Sequence, residues 1–164
     1  MSTAPYDYTA LQLDALEAAA RSWERTPFCN NSAVKGAGVS CQHLVSELYF
    51  EAQWLPRFDV PNGPLQIGRA GNTPLMEEFL DKSPHFVDVD PERIVQSDWR
   101  RGMSEIVRPG CLVISRPARL PHHAAIALRN GAFVHAVIGM GVQIPPQLPD
   151  AWAKRLWRVY RPLC

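Results

Sequence analysis

The chain has 164 residues, 46% of them hydrophobic, which is enough for one domain with a real core and too short for two comfortable ones. With 17 Lys and Arg against 16 Asp and Glu, its net charge of +1 gives no general attraction to nucleic acid or to an anionic membrane surface. No apolar run approaches the roughly 20 residues of a membrane span, and the first residues lack the basic and apolar regions of a secretion signal, so a chain made in the cytoplasm without a signal peptide is expected.

Thr9 is placed to cap a first helix whose apolar face would carry Leu11, Leu13, Leu16, Ala20 and Trp23, ending before Pro27. Residues 25–39 then read as loop. Ser40 is the expected N-cap of a second helix, with Cys41, Leu44, Val45, Leu48, Tyr49 and Ala52 at the spacing of one buried face. Residues 56–72 are rich in Pro and Gly and read as irregular, and Thr73-Pro74 starts a short helix to about Lys82. Pro109-Gly110 precedes a strand, "CLVISR"; "HAAIAL", "AFVHAVI" and the C-terminal "LWRVYR" follow as further strands. Helices first and an antiparallel sheet last make the class α+β, in a single domain over 1–164.

The four cysteines, Cys29, Cys41, Cys111 and Cys164, lack CxxC spacing and suit a reducing compartment. Cys29 and Cys111 read as packed thiols, whereas Cys41 opens an amphipathic helix straight after the glycine-bearing loop "KGAG", which lacks the GK[ST] of a phosphate loop.

Arg129-Asn130-Gly131 marks a hairpin with two possible registers. A two-residue turn pairs 129 with 132 and puts His122 on the face of His135. A three-residue loop with Gly131 left-handed pairs 128 with 132 and puts His123, Ala125, Ala127, Phe133, His135 and Val137 on one face. The second register is favoured, because its alanines leave room for a helix bearing Cys41 to reach both histidines.

Such a site is that of a thiol hydrolase. A cysteine at a helix N-terminus beside an imidazolium can have its pKa lowered from about 8.5 into the range of roughly 3.5 to 7.5. His123 would act as the base, His135 would orient it, and backbone N–H groups at the helix start would face the oxyanion. Neighbouring signals have blander readings. His43 should point away from the thiol, and His85 is a loop residue. Glu77 and Glu78 diverge on their helix, and the basic C-terminal run reads as an edge strand with solvated arginines. Mixed Cys/His sets bind zinc, but no CxxC or HxxxH spacing supports a metal site here.

The stretches "TPFC", "SCQHLV", "PGCLVIS", "HAAIAL" and "FVHAV" resemble, in this order, the motifs of the NlpC family of papain-like cell-wall cysteine peptidases. The loop "KGAGVSC" and the ending "AWAKRLWRVYRP" look most like the branch found with bacteriophage tails. The resemblance implies a papain-like fold with Cys41 as nucleophile, His123 as base and His135 as the third residue. It also implies cleavage of peptidoglycan stem peptides between γ-D-glutamate and a diamino acid, no cofactor beyond a reduced thiol, and phage tail proteins as partners, in a virion acting on the cell wall. The resemblance makes Phe28, Ser40 and Gln42 the candidate substrate contacts, with three departures: Phe28 stands for the family's usual Tyr, Ser40 and Gln42 for its Asp and Ser, and His43 for a glycine. The missing carboxylate argues against strict selection for a free amino terminus. Two other readings stay open: an amidase or acyltransferase outside cell-wall chemistry, and a tail module with a vestigial site.

Overall fold

A computed structural model describes residues 8–63, 75–116 and 122–164. Thr9 opens helix α1 (Ala10–Trp23) with a capping box, its side chain accepting from Gln12 N–H while the Gln12 side chain accepts from the Thr9 backbone. The face that α1 buries is Leu16, Ala19, Ala20 and Trp23; Leu11, expected on that face, is exposed. The loop expected at 25–39 contains a small antiparallel hairpin, β1 (Ala33–Val34) with β2 (Gly38–Val39), so the first three residues of "KGAG" form its turn and Gly38 starts β2.

Helix α2 (Cys41–Glu51) follows β2 directly and buries Cys41, Leu44, Val45, Leu48 and Tyr49, the predicted stripe. Each such apolar side chain contributes roughly 1.5–3 kcal/mol on removal from water. The Trp23 indole N–H donates to Glu51 Oε1 at 2.8 Å and ties α1 to α2. Helix α3 (Leu75–Lys82) ends where expected; its predicted start at Thr73-Pro74 lies outside the described residues, as does 64–72 of the predicted irregular stretch.

Beyond the β1–β2 hairpin, further elements had no forecast: β3 (Phe86–Asp88), α4 (Ile94–Ser97), α5 (Trp99–Glu105) and, ahead of the last predicted strand, β7 (Gly141–Gln143) and α6 (Asp150–Ala153). The predicted strands are β4 (Leu112–Ser115), β5 (His123–Ala127), β6 (Phe133–Val137) and β8 (Leu156–Pro162). They join in an antiparallel sheet of order β3-β8-β4-β5-β6-β7. Strand β8 is therefore interior, not the edge the basic run suggested. Its Arg158 pairs with Asp88 at 3.6 Å, which reconciles a charged strand with a central position.

The β5–β6 hairpin takes the three-residue register, with Ile126 opposite Val134 and Ala127 opposite Phe133. Leu128 N–H donates to Ala132 O across the loop, where Asn130 (φ 59°) and Gly131 (φ 79°) are both left-handed. Both faces of the sheet are covered, one by α1, α2 and α3, the other by α4, α5 and α6. One consequence corrects the sequence reading. Helix α2 packs on the face of Ala124, Ile126, Leu128, Val134 and Ala136, opposite to the one that carries His123 and His135. The alanines of the histidine face, Ala125 and Ala127, instead receive Val95, Leu148 and Ala153.

Candidate active site

How a thiol on one face of a sheet comes near imidazoles on the other is answered by the ladder. Ala127 N–H donates to Cys111 O and Gly110 N–H donates to Ala127 O, so the odd residues of β5 direct their peptide groups toward β4. The even residues face β6, as Leu128 does. Yet the β5–β6 ladder stops at Ile126↔Val134, so His122 C=O and Ala124 N–H point toward β6 with no strand partner there. Cys41 occupies this split: its Sγ lies 4.0 Å from His122 O, and the Ala124 N–H acts on the thiol to favour its ionised form. The thiol thus stands between the faces, at the N-terminus of α2.

Across the same split His123 and His135 meet, Nε2 of the first 2.8 Å from Nδ1 of the second. Trp152, from α6, stacks on the His123 ring at 4.8 Å and meets His135 edge-on at 5.0 Å. His123 is 8% exposed, His135 1% and Cys41 9%. Burial pushes His123 down to about 3, with the neighbouring His135 adding to the effect, and burial pushes His135 down to about 4. Burial also raises the Cys41 thiol, against the opposing pull of backbone N–H groups of Ala124, Gln42 and Cys41 itself. The resting site is thus a neutral thiol beside neutral imidazoles, rather than the thiolate and imidazolium the helix N-terminus suggested. The thiol's own hydrogen bonds go to Gln42 Oε1 at 3.6 Å and to His122 O, not to the His123 ring.

The flanking residues fall into place around it. Gln42 is held by Asn31, whose Oδ1 accepts both Gln42 Nε2 at 3.2 Å and Gly63 N–H at 3.0 Å. Because a backbone N–H fixes Asn31 as acceptor, the Gln42 nitrogen must face it and the Gln42 oxygen must face the thiol. Ser40 occupies the N-cap position but caps nothing with its side chain; it is fully buried and its hydroxyl lies 2.8 Å from His43 Nδ1. His43 is accordingly half-buried, not a free surface group. Phe28 forms a bridge with Val39 and packs on the α1–α3 side of the core. Its loop is fastened to β7 by Val142 N–H donating to Thr26 O and Arg25 N–H donating to Val142 O.

Cys111 is buried as expected, whereas Cys29, predicted to be packed, is exposed. Glu78 pairs with Lys82, but Glu77 is buried at 2% exposure with a carboxylate oxygen 2.6 Å from His122 Nδ1. Sequence reasoning missed this pair and Trp152: nothing in local spacing links residues 77 and 122, or a tryptophan in a four-residue helix to a hairpin. Among the described residues no group of three or more His, Cys, Asp or Glu is placed to hold a metal, and no helix is long and apolar enough to cross a membrane.

The α+β architecture, helices packed on an antiparallel sheet, matches that of papain-like NlpC/P60 structures. A protein described as similar to lipoprotein, of the NLP/P60 family, from Staphylococcus aureus subsp. aureus Mu50 superposes with a TM-score of 0.55 at 16% identity, over 98% of this chain and 44% of that one. An NlpC/P60 family protein from Bacillus cereus does so with a TM-score of 0.54 at 15% identity, over 93% of this chain and 42% of the other. The chain thus spans less than half the length of these neighbours. A scan against protein-family models and a search of curated sequences find no match.

Proposed function

We propose that the protein is a cysteine hydrolase that opens an amide bond in bacterial peptidoglycan stem peptides, with Cys41 as nucleophile, His123 as base and His135 as the residue that orients it. The observation that carries this reading is the 2.8 Å contact between His123 Nε2 and His135 Nδ1, made across the strand split that holds the Cys41 thiol. With Nε2 donating to His135, the lone pair of His123 is on Nδ1 and is free to take the thiol proton. The sulfur attacks the carbonyl carbon, and N–H groups at the start of α2 donate hydrogen bonds to the developing oxyanion. His123 then gives its proton to the departing amine, leaving a thioester on Cys41 that water cleaves with His123 again as base. Burial keeps His123 unprotonated at neutral pH, so the base is available there, and proton transfer accompanies attack instead of preceding it.

The NlpC/P60 architecture supports cell-wall chemistry, and the bond between γ-D-glutamate and a diamino acid is the proposed target. Phage tail proteins are the proposed partners and the virion the proposed place of action, on the strength of the sequence resemblance alone. Around the thiol the polar groups of Asn31 and Gln42 are neutral amides, which favours a stem whose amino end is already acylated over a free ammonium. Muropeptides and intact sacculi incubated with the reduced protein test this by mass spectrometry of the products. Fragments cut at the γ-D-glutamyl bond by the wild type, and absent with Cys41→Ala and His123→Ala, are expected. Absence of new fragments across several peptidoglycan types, from a folded wild type, overturns the substrate and turns attention to an amidase of other amides or a non-catalytic tail module.

A further inference from the structure

We infer that Glu77, acting through His122, is a positioning residue that holds the strand end carrying His123 against the Cys41 thiol. The inference rests on the catalytic reading of Cys41 and His123. Glu77 sits in the first turn of α3 with 2% exposure; its carboxylate is in close contact with His122 Nδ1 at 2.6 Å, and neither carboxylate oxygen has a hydrogen-bond partner among the described residues. The other carboxylate on that helix near the sheet, Asp81, is engaged elsewhere, accepting from the Tyr160 hydroxyl at 2.8 Å. Burying a carboxylate is costly unless a donor faces it, so the imidazole and the carboxylate hold each other in place.

Consecutive strand residues point to opposite faces. His122 is therefore tied to Glu77 on the α3 side, and His123 to His135 on the α6 side. The start of β5 is clamped from both faces at the point where its ladder to β6 has already ended. What the clamp fixes is the peptide run His122–Ala124. That run supplies the His123 ring, the carbonyl 4.0 Å from Sγ, and the Ala124 N–H that favours the ionised thiol. Releasing His122 lets this run move while leaving the apolar core of the sheet intact. Misplacement by about 1 Å at such a site is enough for a rate loss of one to two orders of magnitude.

The test is the rate of Cys41 alkylation by iodoacetamide over pH 6–10, read beside Tm, which needs no substrate. Glu77→Leu is expected to slow alkylation about tenfold or more and to shift its rise with pH upward, as the Ala124 N–H draws away from the sulfur. Glu77→Gln keeps an acceptor oxygen for His122 and retains most of the rate. His122→Leu matches Glu77→Leu, and the double variant Glu77→Leu/His122→Leu is no slower than either, since the two act as one unit. That double variant leaves no buried polar group unpaired, so it carries the measurement if Glu77→Leu does not fold. Wild-type rates in folded Glu77→Leu and in the double variant, or equal losses in Glu77→Gln and Glu77→Leu, overturn the inference. His123→Ala is the control for the reading beneath it. If His123→Ala alkylates like wild type, the catalytic pair fails; if it slows while Glu77→Leu does not, only the positioning role fails.

Discussion

His123 and His135 are the residues at which burial, charge and chemistry meet. Their folded-state values of about 3 and about 4 lie below the ordinary 6.5 of an exposed imidazole, chiefly through burial. Between those values and 6.5 the unfolded chain binds more protons than the native one, so unfolding free energy rises with pH across that window. The stability these neutral rings permit is therefore complete above about pH 6.5 and is lost as pH falls toward 4 and then 3. Urea titrations between pH 4.5 and pH 7.5 should show this slope, and His123→Gln should flatten it, because glutamine takes up no proton. A slope unchanged in that variant would remove the pair as the source. At this scale the histidines were legible, since a hairpin register and an alternation of faces suffice to bring residues 123 and 135 together. Glu77 and Trp152 were not, because their contacts depend on how α3 and α6 fold over opposite faces of the sheet.

Elements with a long apolar period announced themselves, and short ones did not. Helix α2 follows a 3.6-residue stripe for three turns, so Cys41 could be placed at its start before any contact was known. Helix α4 spans only Ile94–Ser97 and has no period to read; its start is set by one side chain. Asp90, 1% exposed, accepts Ile94 N–H on Oδ1 at 2.8 Å and Val95 N–H on Oδ2 at 3.0 Å, while Arg93 adopts a left-handed φ of 60°. Asp90→Ala strips partners from both N–H groups and is expected to cost about 2–3 kcal/mol. For a chain of this size that is a fall in Tm of roughly 5–10 °C, measurable by calorimetry. Strand β8 taught the complementary lesson. A run of arginines reads as an edge strand, yet Asp88 beside Arg158 makes an interior position tolerable. The direction in which α2 packs was equally hidden, because small alanines mark either face as open to a neighbour and only the tertiary fold decides which neighbour comes.

Over the whole molecule, the sheet acts as a partition whose two sides hold different parts of the candidate site. The α1–α3 side anchors the helix that begins at Cys41 and the Glu77–His122 pair; the α4–α6 side shelters the histidines under Trp152. Between them, β5 and β6 part beyond the Ile126↔Val134 pair. A partition of this kind gives the Cys41 thiol and the His123 ring supports on different faces of the sheet. It also makes Cys41 the one group on which the catalytic claim stands. The decisive measurement is intact-protein and peptide mass spectrometry of the protein quenched in acid during incubation with peptidoglycan fragments. A mass increment equal to the acyl half of the substrate, mapped to Cys41 and missing from Cys41→Ala, is the expected result. Hydrolysis that persists in folded Cys41→Ala, or an acyl adduct mapped to any other residue, would contradict it.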